Sequence, residues 1–274
     1  MTERSEGTGG EGTGPPAEGG EDAPPVPVQS VGTAPVGTES VGPGGRPMRS
    51  YTAAISAEAL ALAWARQEQA PASATIIVEH EVSPRGLHGR LWAVPANDTL
   101  SVAVVLRPSL PAEEADAVWL AAGLAAAAGA EEATGRPMST SWPDAVVDST
   151  TGDPVAMTKA EVQLGPGQVR SAVATFRLDI QALGHDNRDA LLVAVLVALD
   201  DLAAELSIDA GLVAAAYGTR CELVGRRVRA VLLPTGESRG VVRGVDRLGR
   251  LELESPTGMV ERVGVSQLRR LEQR

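Results

Sequence analysis

Glu81-Val82-Ser83-Pro84-Arg85-Gly86-Leu87-His88-Gly89-Arg90-Leu91-Trp92 is a glycine- and arginine-rich loop between two apolar runs, Ile76-Ile77-Val78 before it and Ser101 to Leu106 after it. Glycine lets a backbone come close to a bound group, because it has no Cβ and tolerates positive φ. Arginine presents a forked set of donors that suits carboxylate or phosphate. Strand, loop and strand with Arg85, Gly86, Gly89 and Arg90 therefore read as an anion-binding flap. The plainer reading is a surface loop that happens to carry arginines, with Glu81, His80 and His88 as solvated loop residues.

The residues after the loop narrow the choice. Trp92 and Pro95 lead to Leu100-Ser101-Val102-Ala103-Val104-Val105-Leu106-Arg107-Pro108, then to a long alanine-rich helix, then to Ser141-Trp142-Pro143-Asp144. This order resembles the catalytic domain of the biotin–protein ligases, which share their fold with lipoate ligases. The family reads G-R-G-R-x-G-R-x-W in the loop and K-W-P-N-D after the helix. The resemblance runs from about Glu58 to the C-terminus, where the last segment is similar to the family's small β-domain. It implies an α+β fold with a mixed sheet packed with helices, followed by an SH3-like barrel. It also implies biotin and ATP with magnesium as cofactors if the chain is active, a biotin-carrier-type domain as partner, and possible homodimers.

The resemblance assigns ligand-facing positions to Glu81, Arg85, Gly86, His88, Gly89, Arg90, Trp92, Trp142, Pro143 and Arg177, and it exposes departures. The second loop arginine is Leu87 and the first loop glycine is Pro84. Glu81 stands where a glutamine commonly faces the ureido ring. Ile55-Ser56-Ala57 lacks the asparagine of a Ser-Thr-Asn signature, and Ser141 holds the catalytic lysine's place, with Asp144-Ala145 after Trp142-Pro143. Three glycines of the ligand-facing hairpin are Met157, Thr175 and Arg177. Because strand side chains alternate faces, Met157 and Lys159 share one side, as do Thr175 and Arg177. All four are expected to project into the space where biotin would lie. Lys159, the single lysine, could instead replace the missing catalytic lysine, with Arg177 and Arg90 completing a cationic cluster. Otherwise it is a strand lysine paired with Glu161 or Glu79.

Composition sets further bounds. The chain has 274 residues and is 43% hydrophobic but 3% aromatic, so its core must be built from Ala, Val and Leu. A formal charge of −11 argues against non-specific binding to nucleic acid or anionic membranes. The basic residues are nearly all arginine, a skew that genomic base composition produces by itself. One cysteine, Cys221, excludes an intrachain disulfide and reads as a small buried hydrophobe. No apolar leader is visible, and the run Ala190 to Leu199 is too short to span a bilayer, so a cytoplasmic location is expected. No metal site is expected.

Residues 1–49 are poor in large apolar side chains and are expected to be disordered. Residues 50–218 should form the ligase-like domain and 219–274 the barrel. Ser56 is a plausible N-cap for a helix through Ala57, Leu60, Ala61 and Trp64, and Pro71 should end it. Pro111-Ala112-Glu113-Glu114 should open the alanine-rich helix, its Gly123-Leu124-Ala125 segment lying close to a sheet. Pro154 to Leu164 and Gln168 to Ile180, joined by Gly165-Pro166-Gly167, read as an antiparallel hairpin. Asn187 to Leu206 and Ala210 to Tyr217 read as helices, and short strands with regular turns continue from Glu222. The leading tail has neither a helix-turn-helix pattern nor a basic patch, so no DNA-binding role is expected.

Three functions stay open at this point: a ligase scaffold with a degraded site that binds a carrier domain, another partner or an altered ligand; an active biotin, lipoyl or acyl ligase using Lys159 and Arg90; and a non-enzymatic interaction module.

Overall fold

A computed structural model describes residues 37–90, 92, 99–184 and 188–273. Thr38–Val41 (β1), Pro47–Ala54 (β2), Thr75–Glu81 (β3), Thr99–Leu106 (β4), Met138–Ser141 (β5), Ala145–Asp148 (β6), Pro154–Leu164 (β7) and Val169–Asp179 (β8) build one mixed sheet. Its order is β1-β2-β3-β4-β8-β7-β6-β5, with β2 and β3 parallel. A parallel pair needs a crossover, and Ala57–Gln67 (α1) supplies it. Ser56 caps this helix by accepting the Ala59 N–H at 3.4 Å.

The two faces of the sheet carry different loads. Ala57, Ala61, Trp64 and Ala65 of α1 pack on Ile76, Val78, Ala103, Val105 and Val173. The opposite face, with Val102, Val104, Ala172, Ala174 and Phe176, lies in a larger core with Ala117–Thr134 (α2), Arg188–Ile208 (α4) and Ala210–Arg220 (α5). A short helix, Ile180–Leu183 (α3), comes directly after β8. β4 is covered on both sides and so is buried at every position, which is why it reads as a continuous apolar run instead of an alternating one.

Arg227–Leu232 (β9), Glu237–Val245 (β10), Leu251–Glu254 (β11), Val260–Val263 (β12) and Leu268–Gln273 (β13) form a second sheet. Its order is β12-β11-β10-β9-β13, and every pairing is antiparallel. Val228, Ala230, Val242, Leu251 and Leu253 belong to the same apolar cluster as α2 and α5. At Gly249, with φ +79°, a Cβ would come within 2.7 Å of the Asp116 backbone. Only a bare α-carbon lets this turn seat against the start of α2.

The expected α+β class, the hairpin and the helices are observed, with differences. Order begins before residue 49: β1 and β2 include Thr38–Val41 and Pro47–Arg49, and Arg46 is buried, donating to Asp200 of α4. Composition misses this because β1 gains its place from backbone pairing to β2, all four of its side chains being exposed. The tail before residue 37 lies outside the described residues, as do Leu91 and Pro95. The small residues of α2 face the sheet as expected and serve helix contacts as well: a Cβ on Gly123 would meet Thr140 of β5 at 3.7 Å and Tyr217 at 3.0 Å, and one on Gly129 would meet the Val195 backbone at 2.6 Å. Among the described residues no helix is long and apolar enough to cross a membrane, and no cluster of metal-ligating side chains occurs.

Candidate functional site

The hairpin register brings the three substituted positions and Lys159 together. Met157 lies directly opposite Arg177, and Lys159 opposite Thr175. Directly opposed residues project to one face, here the face covered by the N-terminal end of α1. Arg177 is 1% exposed, yet it is a charged side chain in the middle of a sheet. Its partner is Glu81, at 3.5 Å, delivered by the last residue of β3. The other Glu81 oxygen accepts the Ala57 N–H at 2.9 Å, one of the donors that a helix start leaves unsatisfied. Burial pulls the Arg177 guanidinium below its usual value, opposed by the Glu81 and Asp179 carboxylates.

Lys159 is held separately. Its Nζ lies 2.8 and 2.9 Å from the two Glu58 oxygens and 3.8 Å from Glu161. Glu161 is one of the expected partners; Glu58 is not. In the sequence Glu58 reads simply as an acid in the first turn of a capped helix, and its partner is 101 residues away. The expected union of Lys159, Arg177 and Arg90 is not formed as a cluster of available cations. Lys159 and Arg177 each face an acid, and Arg90 lies on the loop. Beside these pairs the buried hydroxyls of Ser101 and Thr175 find no hydrogen-bond partner among the described residues.

The loop turns its arginines outward and its leucine inward. Arg85 is exposed and folds back, Nε donating to Ser83 Oγ at 3.1 Å and Nη1 to the Gly89 carbonyl at 2.9 Å. Leu87, in the place of an arginine, is buried in the main core. A Cβ on Gly86 would sit 2.2 Å from the Trp92 indole nitrogen, so this glycine is required by packing. His88 adopts φ +53°, and its Nε2 lies 2.7 Å from the Leu268 carbonyl, clasping the loop to β13.

Arg90 lines a hollow of about 220 Å³ with Ser141, Trp142, Pro143, Asp144 and Arg270. Trp142 is buried and donates to the Gly249 carbonyl at 3.1 Å, so it fastens the two sheets. Ser141 donates to Glu222 at 2.8 Å. Burial raises the Asp144 carboxyl to about 6, against the opposing charge of Arg90. Cys221 is buried and its thiol is pushed up by burial, consistent with an inert side chain.

Residues 223–266 match the family model described as Biotin protein ligase C terminal domain. Over 142 residues the chain is 25% identical to the "Bifunctional ligase/repressor BirA" of Bacillus subtilis (strain 168), covering 52% of this chain and 41% of that protein. The fold matches the biotin protein ligase from Aquifex aeolicus in complex with biotin and ATP, with a TM-score of 0.65, 16% identity, and coverage of 83% of this chain and 99% of that one. The fold is that of the biotin protein ligases, and residues 223–266 are similar to their C-terminal domain. Within that family's fold it is also similar to a biotin protein ligase-like protein of unknown function from Silicibacter sp. tm1040, with a TM-score of 0.63, 14% identity, and coverage of 84% and 98%. The chain spans about two fifths of the length of the curated relatives it matches.

Ser141, the residue expected from the resemblance to hold the catalytic lysine's place, is engaged with Glu222.

Proposed function

We propose that this family member is a ligase scaffold whose vitamin cleft is filled by its own side chains, and that it makes no acyl-adenylate. The observation that carries this reading is the buried Arg177–Glu81 pair, in register with Met157 and beside Lys159–Glu58. An incoming carboxylate or ureido ring would have to displace one of these acids. Removing a single partner of a buried pair leaves an uncompensated charge, at a cost of about 3–5 kcal/mol. Adenylation also needs cations free to meet the charge that develops on phosphate. Beside Met157 and Thr175, Lys159 and Arg177 are each neutralised internally.

The proposed role is to bind a carrier-type domain or another macromolecular partner in the cytoplasm, through residues 50–218 and an SH3-like barrel of residues 219–274. Titration calorimetry with biotin and ATP, together with ATP–pyrophosphate exchange using biotin, lipoate or octanoate, tests it. No heat and no exchange are expected. Tight biotin binding or measurable exchange overturns the reading.

One observation favours a second reading, in which the site takes an altered ligand. Arg90 is exposed and faces the hollow beside Ser141 and Asp144 without a carboxylate at ion-pair distance among the described residues. In that case, exchange with some acid should be detectable and should fall in Arg90→Gln and Lys159→Ala.

A further inference from the structure

We propose that a second hollow, at the far end of the sheet face that carries Arg177, binds a small oxyanion with two or more negative charges. This hollow has a volume of about 540 Å³ and is lined by Arg66 and Gln69 from the end of α1, Arg107 from the end of β4, and Gln163, Arg170 and Ser171 from the β7–β8 hairpin. It lies six residues along β8 from Arg177, roughly 20 Å at ~3.3 Å per residue, and shares no residue with the Arg177 site or the Arg90 hollow.

Charge singles it out. The chain carries a formal −11, and Arg49, Arg136, Arg177, Arg229 and Arg250 all sit against carboxylates. Arg66, Arg107 and Arg170 meet no carboxylate at ion-pair distance among the described residues, and no acid lines the hollow. Glu68, two residues from Arg66, is occupied in a two-pronged contact with Arg49 at 2.7 and 3.0 Å. At physiological salt the Debye length is about 8 Å, so the local trio of guanidinium groups, and not the distant net charge, sets the potential that an anion meets.

The donors are also held in place. Arg107 donates to the Ala70 carbonyl at 2.8 and 3.1 Å and reaches the Ala65 carbonyl at 3.5 Å. The Gln163 carboxamide, oriented with its oxygen on Arg66, lies 3.0 Å from the hydroxyl of buried Ser171. Gln69 is held at φ +52°, a left-handed conformation that costs any residue with a Cβ and that glycine would adopt freely. A plainer role for Arg66 and Arg107 is to compensate the negative end of α1. That role does not extend to Arg170, which rises from β8 and caps no helix. Three guanidinium groups lining one space, of which Arg107 gives Nε and Nη2 to backbone carbonyls, match an oxyanion able to accept several bonds at once.

Titration calorimetry of the full chain with inorganic pyrophosphate and, in parallel, citrate tests the proposal on wild type, Arg66→Gln, Arg170→Gln and, as a control, exposed Arg269→Gln. Saturable binding is expected, weakened about tenfold or more by loss of either hollow arginine and unchanged in the control. Binding of pyrophosphate alone assigns a phosphate-type ligand, and equal binding of citrate assigns the wider oxyanion class. No saturable binding of either probe, or binding that Arg170→Gln leaves intact, overturns it. Neither result bears on whether the vitamin cleft is filled, because that test reads biotin binding and acid-dependent exchange, which the hollow variants leave in place.

Discussion

Arg177 is a residue whose value depends on its partner. A buried ion pair gives little net stability over an apolar pair of the same volume, yet losing one member is costly. Arg177→Met should therefore destabilise the fold by about 3–5 kcal/mol in urea unfolding, since it strands Glu81 beside the start of α1. The double variant Glu81→Gln/Arg177→Met should recover most of that loss. A double variant as unstable as the single one would contradict the pairing. Asp144 makes a second residue-scale case. Its folded value is raised to about 6, above an unfolded value near 4, so the native state holds the proton more tightly. Stability from this carboxyl is complete below pH ~4 and is lost as the pH rises to about 6, by at most about 3 kcal/mol because the side chain is partly exposed. Asp144→Asn should raise the urea midpoint at pH 7.5 and flatten its dependence between pH 4 and 6. An unchanged slope would count against the burial of this group. Glu81, Arg177 and Lys159 were legible in the sequence through the family pattern. Glu58 and Glu222, acids that meet Lys159 and Ser141 in space, were not, because nothing in a sequence ties a helix N-terminus to a strand 101 residues on.

Among the elements, the α2–α4 contact and the loop clasp permit sharp tests. Gly129 lies against the Val195 backbone, whereas Gly218 in α5 has open space at its Cβ position. Gly129→Ala should destabilise by about 1–3 kcal/mol through overpacking. Gly218→Ala should stabilise by roughly 0.5–1 kcal/mol through helix propensity. Thermal melts of the two should shift in opposite directions, and a shift in the same direction would refute the packing. The loop between β3 and β4 is pinned to β13 by His88. His88→Ala should speed tryptic cleavage after Arg85 and Arg90, and equal rates would show that the clasp holds nothing. The helices were readable because caps and small-residue runs are local signals. β1, β5 and β6 were not, since four-residue strands acquire their conformation from their neighbours.

At the scale of the molecule, the two sheets share one apolar core, with Trp142, His88 and Glu222 crossing between them. Unfolding followed by tryptophan fluorescence and by circular dichroism should therefore give one coincident transition. Two resolved transitions would mean that the small sheet folds independently. The same continuity places the Arg90 hollow under the influence of β13, since Leu268, Arg270 and Gln273 form one of its walls.

Local chemistry determined a great deal from sequence alone: the capped helix α1, the β7–β8 hairpin and its register of faces, the turn-rich final sheet, and the loop that pointed to the ligase family. These are short-range consequences of backbone preference and side-chain period, which a linear sequence records. What only the tertiary structure decided is where each charge ends. Arg177 closes on Glu81, Lys159 on Glu58, and Leu87 turns into the core, while Arg66, Arg107 and Arg170 meet around one hollow without an acid. Such pairings join residues that are far apart along the chain, and burial fixes which of them must be neutralised, so they emerge only once the sheet is assembled.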